Sequence, residues 1–393
     1  MKRLGILLLI LLLSITWQTG TNAVAGARGA SLTTEFVSHN ALAQSVSGAW
    51  IIVDLQSYGA YTSIAVDSND LVHVSYAKDG NLIYTRQYRM GDDIGWGTQT
   101  VVATGNVRDT SLALDENDRP YIAYYDLMTE NLSWVWSPTG GDWYTDTLHT
   151  TANDGLHPSA VMRGGVLHVA NLNITNQNVE YLSVIPGGVW PPTVQIAGGL
   201  ATTHAEISLA LRSDGLPRIS YVSESDFRLM YARYTGSAWT QEVVDGDDEH
   251  LMGYCNSLAL NASNYPRIAY FDATNQDLRY IWYGLIGWGR PTIVDDDSGS
   301  NCDNSLALDG EGYSHILYHK GDTSGYLRYV RQQSGSGWSF ETVDGAASNC
   351  GVDIALALDS LGRPHAIYSC NGQLKYAYRG AFQVFLPAVM RGQ

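Results

Sequence analysis

Carboxylates, amides and aromatic rings are the groups in this sequence whose types and spacing could do chemistry. Asp126, Glu224, Asp272 and Asp322 each stand a few residues after a tyrosine that closes an apolar run. Amides accompany them at Asn131, Asn176, Asn178, Asn275 and Asn371, and Trp136 and Trp282 lie one strand away. A sugar has a hydroxyl rim and an apolar C–H face, so bidentate polar groups beside an aromatic platform suit it. Trp136 and Trp282 share a position held in other units by Arg86, Ser183, Arg233, Arg331 and Tyr378. A core position would not vary in that way. Packing between units is the alternative for both rings.

Other chemistries leave weaker traces. Asp295, Asp296 and Asp297 are consecutive, and carboxylates converging on a hard cation hold Ca²⁺. In a chain with 39 acidic and 23 basic residues, solvated loop charge explains the same run. Paired carboxylates also hydrolyse glycosides, but only at defined separations that a sequence does not contain. His73, His168, His315 and His365 recur at one repeat position, so they are spread apart and not gathered on a metal. There is no G-x-S-x-G elbow, H-E-x-x-H pair or phosphate-cradling loop, and no residue is assigned a catalytic role. Cys255, Cys302 and Cys350 occupy nearly one repeat position, and Cys370 ends a strand of the last unit. Of the three possible pairings, Cys255–Cys302 between units and Cys350–Cys370 within one are preferred. A Cys₄ zinc site is the alternative, disfavoured by the absence of C-x-x-C.

The elements that position these groups come from a repeat. Ser63-Ile-Ala-Val-Asp67 returns at 111, 159, 208, 257, 305 and 355 as variants of Ser-Leu-Ala-Leu-Asp, at steps of 48 to 50 residues. That period matches a four-stranded propeller blade. Each unit contains strand a, a turn such as Asn117-Asp118-Arg119-Pro120, and strand b, which ends on a tyrosine in all units but the third. Strand c follows with an aliphatic-x-aromatic pair, and strand d is opened by Trp96, Trp143, Trp190, Trp239, Trp288 or Trp338. The seventh unit has no such tryptophan, but Trp50-Ile-Ile-Val-Asp54 precedes the first unit. An N-terminal outer strand is therefore expected to complete the C-terminal blade and hide its edges. Phe382–Leu386 is the rival for that place. The fold expected is all-β, a seven-bladed β-propeller of antiparallel blades over residues 49–380.

The flanks and composition bound the rest. Lys2 and Arg3, the apolar Leu4–Leu13 and Ala23-Val-Ala25 read as a signal peptide over residues 1–25. Residues 26–48 read as a flexible arm and 381–393 as an apolar tail. Secretion makes disulfides permissible. A net charge of −16 and only four lysines leave no basic face for nucleic acid, and no later stretch is long enough to span a membrane.

The unit S-L-A-L-D…R-P-x-I-A-Y-x-D…L-x-Y-A…W-x-x-E-x-V-D resembles repeats of secreted bacterial propellers. Over residues 50–379 the chain resembles seven-bladed fucose-binding lectin-like propellers and, more distantly, the sialidase superfamily. The Asp-box of sialidases survives only as Gly140-Gly-Asp-Trp143, Gly236-Ser-Ala-Trp239 and Gly335-Ser-Gly-Trp338, without its aspartate. Arg119, Arg218, Arg267 and Arg363 fall at the a–b turn or the start of strand b, and read as structural. The function this resemblance implies is secreted, non-catalytic, lectin-like binding of extracellular glycans, at the loop face or between blades. A glycoside hydrolase or polysaccharide lyase with a central acidic site, and a protein-interaction scaffold, are the alternatives.

Overall fold

Pleated strands place successive side chains on opposite faces, and here strand b is apolar at nearly every position, as in Pro120–Asp126 and Pro364–Cys370. A strand buried on both faces must lie inside a stack of sheets. The computed structural model describes residues 49–379 apart from 57, 92, 148–152, 190, 199–206, 224–226, 247–248, 297, 300, 322–324, 335–336 and 346–349. The signal-peptide, arm and tail assignments fall outside the described residues, as do Trp190, Glu224, Asp297 and Asp322. The described residues form seven antiparallel sheets, each in the spatial order a-b-c-d. Innermost strands contact their neighbours in sequence round the ring, and Cys350–Leu358 of blade 7 meets Ala60–Val66 of blade 1. The propeller is closed.

Closure is made by the N-terminal strand. Trp50–Gln56 pairs antiparallel with Gln373–Arg379, in a register that sets Trp50 opposite Arg379 and Val53 opposite Tyr376. Trp50 also stands edge-on to Tyr329 of blade 6, with centroids 5.2 Å apart. The other described strand-d tryptophans do the same to the strand-c tyrosine of the preceding blade. Trp143 meets Tyr84, Trp239 meets Tyr181, Trp288 meets Tyr231, Trp338 meets Tyr280 and Trp96 meets Tyr376, at 5.0–5.3 Å. Edge-to-face contact is the favoured aromatic geometry, so this row joins the blades at their outer half.

One detail of strand d differs from expectation. In blade 1 strand c runs on from Asn81 to Met90 and folds into a short hairpin with Asp93–Trp96 before the outer strand resumes at Thr100–Thr104. Blade 5 does likewise, with Gly287–Trp288 and then Thr292–Asp295, and Pro291, which has no N–H for the ladder, lies in its gap. In blade 2 the strand begins at Tyr144, one residue after the tryptophan.

Near the axis, serine links the blades. The Ser of Ser-Leu-Ala-Leu accepts a hydrogen bond from the next blade's Leu or Ala N–H, from Ser63 to Leu112 through Ser305 to Leu356, at 2.9–3.1 Å. Six interfaces have this rung. At the seventh, between blades 7 and 1, Ala355 replaces the serine. The a–b turns still meet there, Ser360 donating its N–H and hydroxyl to Asp70 as Ser68 does to Asp118 between blades 1 and 2. Both cysteine pairs are disulfides: Cys255–Cys302 joins blades 5 and 6, and Cys350–Cys370 ties strands a and b of blade 7. Among the described residues no helix is long and apolar enough to cross a membrane.

Candidate functional site

Two concave places stand out, one on the axis and one between blades. The axial channel encloses about 300 Å³ and is lined by Tyr61, Asp109, His157, Asp303 and Asp353 among others. These five occupy one repeat position, two residues before the strand-a serine, or before Ala355 in blade 7. A bulge there puts Tyr61, Asp109, His157 and Asp353 in the left-handed region, at φ of 49–52°. Non-glycine residues adopt that conformation at a cost of about 1–2 kcal/mol, so something must hold it. For Tyr61, His157 and Asp353 the holder is a carboxylate on the preceding blade. Asp353 accepts the Tyr61 N–H at 3.0 Å, Asp109 accepts that of His157 at 3.4 Å, and Asp303 accepts that of Asp353 at 3.2 Å. Burial, then the charge of Asp353, pushes the Asp303 carboxyl up to about 7. Burial also raises Asp353. These carboxylates are committed to joining blades.

The second place is a cleft of about 350 Å³ on the opposite end, where a–b turns and c–d hairpins meet. Blade 5 supplies Arg267, Tyr280 and Trp282, and blade 6 supplies Glu311, Tyr313, Gln332 and Gln333. Trp282 is 43% exposed and is the only exposed tryptophan among the described residues. A Cβ on Gly284 or Gly289 would fall 2.5 or 3.1 Å from its ring, so only glycine lets the indole lie across its hairpin. The Arg267 guanidinium stands 5.7 Å from the indole centroid, and its Nη1 donates to the carbonyls of Pro266 and Tyr283. The floor is fixed by Ser314, which donates to the Tyr280 hydroxyl at 2.8 Å.

Comparison across blades shows why this cleft differs. In blades 1, 6 and 7 the turn aspartate reaches the strand-b histidine, which shares a hydrogen bond with the strand-c tyrosine: Asp67–His73–Tyr84, Asp309–His315–Tyr329 and Asp359–His365–Tyr376. Burial alone would raise Asp359, but hydrogen bonds from His365 and from Arg363 outweigh it and hold the carboxyl at about 2. Blades 4 and 5 lack both partners, having Arg212 and Asn261 in the turn and Arg218 and Arg267 on strand b. Arg218 is buried, and Arg267 is left half-exposed on the cleft. The exposed strand-c position then decides the surface. Arg86 covers Tyr88, Arg331 pairs with Asp309, Tyr378 stacks on Tyr376, and Trp136 stacks half-buried on Tyr144. Only at blade 5 does a large ring there face solvent beside an arginine.

The residues singled out from sequence do not share one surface. Asp126 and Asp272 end strand b at the loop face, whereas Trp136 ends strand c and Trp282 lies two residues from its end, at the other. Asp126 accepts the Met128 N–H, closing its turn. Asp272 is fully buried, accepts the N–H groups of Thr274 and Asn275, and pairs with Arg279 at 2.7 Å. Asp295 is buried between Tyr318, Lys320 and Arg328, while Asp296 is exposed. Arg267, expected to be structural, lines the cleft. Glu311, Tyr313, Gln332 and Gln333 were not anticipated, and the one trace they left was the loss of the Asp–His pair in blade 5.

No protein-family model matches the sequence, and no curated protein matches it. Among solved structures, the chain is similar to AofleA from Arthrobotrys oligospora, at TM-score 0.53 and 15% identity, over 76% of this chain and 90% of that one. It is similar to the Aleuria aurantia lectin in complex with Fucα1-6GlcNAc, at TM-score 0.51 and 14% identity, over 75% and 99%. It also resembles the SapL1 lectin in complex with α-methyl fucoside, at TM-score 0.51 and 15% identity, over 74% and 97%. At these identities the likeness is one of fold, and the fold shared with those lectins is the β-propeller.

Proposed function

We propose that this chain is a secreted, non-catalytic glycan-binding propeller whose principal site is the cleft between blades 5 and 6. The observation that supports it is the solvent-facing Trp282 beside Arg267, with Glu311, Gln332 and Gln333 on the facing wall. The indole offers a face for the apolar side of a sugar ring, and the guanidinium, carboxylate and amides offer donors and acceptors for its hydroxyls. Among the described residues no carboxylate pairs with Arg267, so its remaining N–H groups are available to a ligand. The disulfides and the N-terminal sequence support export. The fucosides bound by two similar lectins make α-methyl fucoside the first probe.

The test is a glycan array followed by calorimetry on the hits, with Trp282→Ala as the control. Stacking and the associated contacts together are expected to weaken binding at least tenfold in the variant, about 1.4 kcal/mol or more. An array without hits, or a hit that Trp282→Ala binds as tightly as the wild type, sinks the reading.

A further inference from the structure

The third blade carries a buried group of acids and amides that neither the cleft nor the channel uses. Asp154 lies opposite Asn173, Asn173 opposite Asn178, and Asn171 opposite Glu180, so all five share one face of the sheet. That face is the one that packs on blade 2, because Val169 and Leu182, continuing the same alternation, lie in a cluster with Leu132 and Trp134. All five side chains are at most 7% exposed. Asn171 donates to one Asp154 oxygen, and Asn173 to one Glu180 oxygen at 3.1 Å. The Glu180 carboxyl faces Asp154 within hydrogen-bonding range. Asn171 Oδ1 has no hydrogen-bond partner, and Asp154 Oδ2 and Glu180 Oε2 have none beyond each other, which requires a proton between them. Burial, then the Glu180 charge, pushes Asp154 up to about 7. A bound cation would take that proton's place. Two buried carboxylates without a counter-charge are costly, and buried polar oxygens are almost always paired.

The other blades show what is missing. At the place of Glu180, blades 5, 6 and 7 carry Arg279, Arg328 and Lys375, which pair with Asp272, Asp295 and Asp344. The facing strand-c segment of blade 2, Asn131–Trp136, contains no charged residue. At the place of Asp154 and Asn173, blade 7 has its Cys350–Cys370 disulfide. Blade 3 thus has an anion where three sister blades have a cation, and oxygen donors where one has a covalent cross-link.

We propose that Asp154, Glu180 and Asn171 bind a hard divalent cation of Ca²⁺ size, which neutralises the pair and ties the three inner strands of blade 3 together. Carboxylate and amide oxygens are the donors such an ion prefers. The site is separate from the glycan cleft, so its failure and that of the cleft are read independently.

The experiment uses the full chain, stripped with EDTA, titrated with CaCl₂ at fixed pH by calorimetry and by thermal unfolding. One ion per chain is expected, with Tm raised by about 4 °C at a hundredfold excess over Kd. The response should vanish in the double variant Asp154→Asn, Glu180→Gln. Since that variant could fail to fold, Glu180→Arg supplies a second readout: it copies Arg279 and Arg328, and should melt at the Ca²⁺-loaded wild-type temperature with or without the ion. No heat or Tm shift in the wild type, or a Ca²⁺ response that persists in either variant, would overturn the proposal.

Discussion

At the scale of single residues, the cleft and the channel make opposite demands on charge. Arg267 is held by two carbonyls through one nitrogen, which fixes its plane and leaves the rest of the fork outward. Arg267→Lys keeps the charge and loses the planar fork, so ligand affinity should fall about tenfold while Tm stays within about 2 °C. Calorimetry beside a melting curve checks both. In the channel, Asp303 has its folded-state pKa raised to about 7, whereas an unfolded aspartate titrates near 4. Its contribution to stability is therefore full below about pH 4 and is lost as pH rises to about 7. His168, lowered to about 4 by burial, contributes in the opposite sense across much of that window. The clean measurement is thus a difference. The stability of the wild type relative to Asp303→Asn should decline as pH rises from about 4 to about 7, by at most about 1.4 kcal/mol per pH unit. A difference that is flat or rises with pH contradicts the assignment.

Elements show how the blades are spaced. Strand a of blade 3 approaches blade 2 so closely at Gly155, where φ is 108°, that an added Cβ would lie 2.4 Å from the Leu132 backbone nitrogen. Neither the backbone angle nor the neighbour can give, so Gly155→Ala should destabilise by about 2 kcal/mol or more in denaturant melts. Conversely, Ala355 occupies the place that serine fills at the other six interfaces. Ala355→Ser is expected to add the seventh rung and to raise stability by about 0.5–1 kcal/mol. A neutral or destabilising result would mean that the blade 7–1 seam is spaced differently from the rest.

For the molecule as a whole, closure rests on a strand contributed from the other end of the described chain. Trp50 is half-buried against Tyr329, and its indole N–H donates to Glu341 at 3.0 Å. Trp50→Ala should cost about 2–4 kcal/mol, less than a fully buried tryptophan would. Removing residues 49–56 should do more than that, because it exposes the edge of Gln373–Arg379 along its length. An exposed strand edge is a template for pairing between chains. Light scattering on the truncated protein should show association that the Trp50→Ala variant does not.

The architecture was legible in the residue order because each blade repeats the same local grammar. Ser-Leu-Ala-Leu spacing, the strand-c pairs and the strand-d tryptophans count the blades, and Trp50 ahead of the first unit names the closing strand. Alternation and turn chemistry act over a few residues, so a linear sequence contains them. The cysteine pairs were also within reach, since near-equivalent positions in neighbouring blades face one another, as at Cys255 and Cys302, and adjacent strands of one blade bring Cys350 opposite Cys370. The candidate site was not. Trp282 could be named as a varying position, but its partners Glu311, Tyr313, Gln332 and Gln333 come from the next blade, about thirty to fifty residues on. Whether its ring is exposed, unlike that of Trp136, depends on what the neighbouring hairpin covers. Asp126 and Asp272 looked equally suited to a ligand, yet burial and turn hydrogen bonds occupy Asp272. Composition shows which groups are present; only the packing of one blade on the next decides which of them remain free to meet another molecule.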